Sequence, residues 1–185
     1  MLTISHMSDL LLSAGIHERS VSAVLAAVLA AAARPATAVL GCLAGAPLSL
    51  KVVATGERVL TDAETYRLDA WDAATCRYRT GLLLTADGTV AAGTWLLWLP
   101  SRLPPDACRA LDEGTEPAGR ILGPLGMRRT DRRALATAGI EEITGAAAAV
   151  RSSAVLEVGG VAVGVAEENV TLEFAAALCR ENARS

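Results

Sequence analysis

Aromatic side chains are scarce in this chain, at 3% of 185 residues, so alanine, valine and leucine must carry most of the packing. Lysine is almost missing too: Lys51 is the only one, and arginine supplies the rest of the 17 basic residues. Set against 20 acidic residues this leaves a net charge of −3, which argues against nucleic acid as a partner, since proteins that bind it present a basic surface. Histidine is confined to His6 and His17, so a His-based metal centre or triad is not expected. Cys42, Cys76, Cys108 and Cys179 stand alone, with no CxxC pair and no histidine at ligand spacing. That excludes a structural zinc site, and scattered free thiols fit a reducing cytoplasm. The first ten residues lack the positive charge that opens a secretory signal, so none is expected. Long apolar runs are lacking as well. "VSAVLAAVLAAA" is interrupted by Arg34-Pro35 short of the roughly 20 residues that span a bilayer, which makes it a core helix and excludes a membrane partner.

What is present suits one globular domain over 1–185, with 52% hydrophobic and 20% charged residues and a length that closes around a single core. Residues 1–45 have helical periodicity. A short helix is predicted over 8–14, a longer one from Glu18 to Ala33 with Val21, Val24, Leu25, Val28 and Leu29 on one face, and a third over 36–43. From Leu48 the period falls to two. "LSLKVV" predicts a strand, "TGERV" a turn into a second piece, and "ETYRLDAWD" a third. The clearest hairpin is "CRYRTGLLLTADGTVAAGTWLLWLP", with a two-residue turn at Asp87-Gly88. Short helices are predicted over 104–112, 115–122 and 130–138. A second hairpin, "VRSSAVLEVGGVAVGVAEENVTLEF", turns at Gly159-Gly160. Hairpins over 48–100 and 150–174 beside these helices define an α+β domain on a mostly antiparallel sheet.

Several residues could carry chemistry. In "EGTEPAGRILGPLG" Thr115 can cap a helix whose first turn holds Glu116 and Pro117, and such a start offers amides to an anion. Arg120, one turn in, reads first as a tie between helix and sheet. Arg77 and Arg79 share a strand face; each either makes a surface ion pair or grips a carboxylate with its planar fork. Glu167 and Glu168 end an apolar strand. One of them points inward, where burial would raise its pKa toward that of a general acid, or both are solvated. The pairs Arg128-Arg129 and Arg132-Arg133 read as a solvated loop and helix face.

Taken in order, the helical start, the Arg-bearing strand, the "TADG" hairpin, "LP", "GTEPAGRIL", the Arg-Ser strand and the final Glu make the chain resemble chorismate pyruvate-lyase and its superfamily over roughly 20 to 175. That superfamily includes effector-binding domains of bacterial transcription regulators. The resemblance implies an antiparallel sheet flanked by helices around a closed internal ligand cavity, with no cofactor and no metal. It further implies that Arg79, with Arg77 as the fallback, holds a ring carboxylate with help from the Ala118 amide, and that Glu167, or Glu168 if the hairpin slips, is the catalytic acid. Two positions depart from the family pattern. A second arginine on the returning strand is replaced by Trp95 or Thr94, and a leucine by Ala118, which removes a charge and widens the cavity.

Three functions follow. The first is a cofactor-free lyase that eliminates pyruvate from chorismate to give 4-hydroxybenzoate. The second is an enzyme of secondary metabolism, a cyclase or pericyclase working on a larger, less charged substrate. The third is a small-molecule binding module, ranked last because the first 45 residues hold no winged helix. The partner expected in each case is a small molecule in a buried cavity, the site set Arg79, Ala118, Trp95, Arg77, Glu167, Glu168 and Arg120, and the assembly a monomer or homodimer. Two inward arginines would favour chorismate, a dianion; one, opposite Trp95 or Trp98, a less charged ligand.

Overall fold

The period-two segments pair into one sheet, and the most continuously apolar of them lie at its centre, as expected for strands covered on both faces. In the computed structural model, which describes residues 18–182 apart from 33 and 74, six strands run in the order β1-β2-β3-β6-β5-β4. They are β1 (Ser49–Arg58), β2 (Cys76–Leu84), β3 (Val90–Trp98), β4 (Arg128–Ile140), β5 (Ala147–Val158) and β6 (Val161–Thr171). All neighbouring pairs are antiparallel. The helices are α1 (Glu18–Ala31), α2 (Ala36–Leu43), α3 (Asp62–Leu68), α4 (Pro105–Glu113), α5 (Ala118–Leu122) and α6 (Leu172–Asn182). The α+β fold with helices flanking an antiparallel sheet is therefore as the sequence implies. The helix expected over 8–14, and both histidines, lie outside the described residues.

One face of the sheet carries two apolar clusters. In the first, Leu25, Leu29, Leu40, Phe174 and Leu178 pack on Leu83, Ala92, Val150 and Val170. In the second, Leu111 and Leu122 pack on Leu96, Trp98 and Leu156. The other face is covered at one end only, where Leu60 and Leu68 meet Leu97, Leu99, Val155 and Val165. Between the two clusters of the covered face lie Arg79, Arg129 and Glu168, all buried.

The structure corrects four element assignments. "TGERV" is no turn into a second piece: Thr55 to Arg58 pair with β2 as the second half of β1, which is interrupted only by a register shift between Val52 and Ala54. "ETYRLDAWD" is no strand: its first five residues belong to α3, which starts at Asp62 because Thr61 and Glu64 form a capping box in which each side chain answers the other's backbone amide. Residues 130–138 belong to β4, since pairing with β5 overrides the helical preference of "ALATA". The helix of "TEPAGRIL" starts at Ala118 after Pro117, and Thr115 makes no cap. The turns differ in kind. Gly159 and Gly160 both have positive φ, 60° and 82°, as a tight two-residue hairpin requires. At the other hairpin the Gly88 amide bonds to Thr85 O and Gly88 alone turns left-handed, φ 87°, so the turn proper is Ala86-Asp87.

Candidate functional site

Arg79 projects from β2 toward the end of α4. Its Nη1 donates to Leu111 O at 3.0 Å and its Nη2 to Glu116 O at 2.7 Å. Leu111 is in the last turn of α4, where carbonyls have no partner in the helix, so the guanidinium caps that end. Neither acceptor is a carboxylate. Burial holds its pKa down, to about 10. Three of the five N–H donors of a guanidinium remain after two such bonds.

Facing it from β6 is Glu168. Its Oε2 accepts from Ser152 Oγ at 2.7 Å and lies 3.5 Å from Arg129 Nη2. Burial raises its pKa, the Arg129 charge and the Ser152 hydroxyl opposing that rise. Arg129 also donates to Arg34 O at 3.3 Å. Arg79, Arg129 and Glu168 line a small pocket of about 40 Å³ with Thr94, Ala118 and the starts of α2 and α5. With all three ionised, these three side chains carry one net positive charge, and the Asp112 carboxylate, already paired with Arg77, also acts on Arg79.

The expected site residues divide between the faces. Arg79, Ala118 and Glu168 line the pocket. Glu167, placed first as the acid, pairs with Trp95 across β3 and β6, and with side chains alternating both sit on the opposite face. There Trp95 stacks under Arg58, 5.6 Å from ring centroid to guanidinium carbon. Arg77 shares the face of Arg79 but is paired with Asp112 at 2.5 Å. Arg120 is exposed and lines a neighbouring groove.

Sequence reasoning missed Arg129 and Ser152. Arg129 is no solvated cation: its side chain is 2% exposed. It also supplies the second cation that β3 lacks. Two arginines therefore do face inward, but Glu168 neutralises one of them. Forty cubic ångströms holds a few waters and not a ten-carbon dianion.

No family model matches the chain, and no curated protein matches it. Among solved structures it is similar to PhnF from Mycobacterium smegmatis, with a TM-score of 0.59 at 11% identity over 76% of this chain. A GntR-family transcriptional regulator from Bacillus cereus (TM-score 0.49, 9% identity, 68% of this chain and 92% of that one) and the effector-binding domain of the Bacillus subtilis trehalose repressor (0.45, 12%, 68% and 91%) also resemble it. The chain spans 65% of the length of PhnF. At such identities the likeness shows the fold alone. The resemblance to chorismate pyruvate-lyase itself is corrected by these findings: the structures the chain is similar to carry other names, among them a transcriptional regulator and a repressor's effector-binding domain, and the likeness extends to the fold. No helix among the described residues is long and apolar enough to cross a membrane.

Proposed function

We propose that the chain is a small-molecule binding module of the effector-sensing kind, and that it takes a small monoanion beside Arg79. The observation that carries this reading is the charge balance of the buried pocket: two arginines against one glutamate. Arg79 gives its hydrogen bonds to carbonyls and makes no ion pair of its own, Asp112 acting on it while paired with Arg77, and a low-dielectric site favours an anion in direct contact with such a cation. A planar carboxylate suits the fork geometry. Ala118 and the first turn of α5 border the same space, so the "TEPAGRIL" stretch does two things: its Glu116 carbonyl orients Arg79, and its helix walls the pocket.

The test is thermal unfolding with acetate, benzoate or phosphate against chloride at equal ionic strength. At least one anion should raise Tm saturably in the wild type, and none should do so in Arg79→Met. No shift for any of them would sink the proposal. A catalytic reading has one observation behind it, the raised pKa of buried Glu168, which would suit a proton donor. Nuclear magnetic resonance of the same samples separates the two: an anion recovered unchanged after long incubation excludes turnover.

A further inference from the structure

Three polar side chains meet in the small pocket from neighbouring strands. Arg79 stands on β2, Thr94 on β3 and Glu168 on β6, and β3 lies between the other two. Thr94 pairs directly with Glu168 on one side and with Gly81, two residues from Arg79, on the other. Antiparallel partners directly opposite each other lie about 5 Å apart and diagonal neighbours about 7–8 Å, so the three share one face and one space. All three have hydrogen-bonding capacity left. Arg79 gives two bonds to carbonyls and keeps further donors. Ser152 and Arg129 both approach Glu168 at Oε2, and its Oε1 has no partner among the described residues. The hydroxyl of Thr94, which is half-buried, has none there either. The pocket therefore offers donors at one end and, at the other, a carboxylate oxygen beside a hydroxyl.

That arrangement restricts what can fill it. A group facing Glu168 must donate a hydrogen bond, because a methyl or a bare acceptor there would leave a buried carboxylate oxygen unanswered. A hydroxyl donates to the carboxylate and accepts from Thr94 at once. An ammonium would also donate, but it would add a positive charge to a space already lined by two arginines and one glutamate. Size sets the remaining limit. The pocket holds about 40 Å³, and α2 and α5 wall it so closely that a carbon added at Gly119 would stand 2.7 Å from Pro35 Cγ. We infer that the ligand is a short hydroxy acid, its carboxylate on Arg79 and its hydroxyl between Glu168 Oε1 and Thr94 Oγ1. This rests on the anion-binding reading of the pocket and adds what the far end of the anion carries. It also makes Thr94 the residue that sets specificity.

Calorimetric titration at pH 7 with two sets of matched acids tests it. The first set is glycolate, propionate and glycine; the second is 3-hydroxypropionate, butyrate and β-alanine. Within each set the shape is kept while the far end changes from hydroxyl to methyl to ammonium. In at least one set the hydroxy acid should bind about tenfold more tightly than both of its counterparts, the worth of one hydrogen bond. Thr94→Val should reduce that preference severalfold, and Thr94→Ser should keep it. Hydroxy and methyl acids that bind equally, and in an Arg79-dependent manner, would overturn the hydroxyl and leave the anion site standing. Tightest binding of an amino acid would overturn it in favour of an ammonium. A preference untouched by Thr94→Val would place the hydroxyl elsewhere and overturn it too. Failure of every acid to bind would remove the anion site and this inference together.

Discussion

Glu168 and Glu64 each lie beside an arginine, on opposite faces of one sheet, and their carboxyls are shifted in opposite directions. Glu64 takes a two-pronged grip from Arg58, at 2.7 and 2.6 Å, and two further bonds from Thr61. Its pKa is held down to about 2, chiefly by the Arg58 hydrogen bonds. Glu168 is far more deeply buried, has a single 3.5 Å contact with Arg129 and has one hydroxyl donor; burial wins and its pKa rises. The same residue types thus make a closed pair on one face and a loosely answered cluster on the other. A carboxylate that needs only to hold a helix in place is given enough donors to stay charged. One that borders a pocket is not, and that incompleteness is the reason for proposing the covered face as the binding face.

The largest effect expected from breaking this contrast is at Arg129. Arg129→Met leaves Glu168 buried without its cation, and unfolding in urea at neutral pH should show a loss of about 3–5 kcal/mol. The loss should shrink as pH falls. Glu168 already has a raised folded pKa, which the substitution raises further, so the folded state keeps a proton that the unfolded state releases; stability then drops as pH climbs above the ordinary carboxylate range and returns as pH falls through the folded pKa. Arg129→Met combined with Glu168→Gln should recover most of the loss. An equal loss at pH 5 and pH 8 would mean that Glu168 is not charged when Arg129 is present.

A smaller effect of the opposite pH sign is expected across the sheet. Arg58→Met removes the grip on Glu64 and, with both side chains partly solvated, should cost about 1–2 kcal/mol at pH 7. Here the folded pKa is depressed. The contribution is complete above the ordinary carboxylate range and fades as pH falls toward about 2, so the wild type and the variant should converge in acid. If they stay apart at pH 2, the stacking of Arg58 on Trp95 carries the difference instead of the ion pair.

How far this contrast was legible in the sequence depends on what sets each feature. The two hairpins announce themselves through glycines at turns, and α2 through Pro35 before it and Gly45 after it. The capping box of α3 is written in "TDAE", but the apolar alternation that follows it imitates a strand. Which of Glu167 and Glu168 faces the pocket turns on a single residue of register, and period two makes the alternatives equal until the pairing is fixed. Arg129 is harder still. Four arginines lie within six positions, and only the β4 bulge at Asp131, φ 40°, with the register shift between Thr130 and Arg133, separates the buried one from Arg132 and Arg133 on the surface. No local pattern encodes that shift; it arises from pairing with a strand that lies later in the chain.

The smallest effect is the most pointed comparison. Glu167 and Glu168 are chemically identical neighbours, and the fold alone distinguishes them. Glu167→Gln changes a half-buried carboxylate opposite Trp95 and Ser153, outside any ion pair among the described residues, so urea unfolding should move by no more than about 0.5 kcal/mol. Anion affinity should be unchanged, because the side chain stands on the far side of the sheet from Arg79. Glu168→Gln should do the reverse: by removing the negative charge that offsets Arg129 it should tighten anion binding, while the amide keeps a partner in Ser152. Should Glu167→Gln alter anion affinity and Glu168→Gln leave it alone, the binding face is the one that carries Trp95, and the pocket around Arg79 is only the place where α4 is capped.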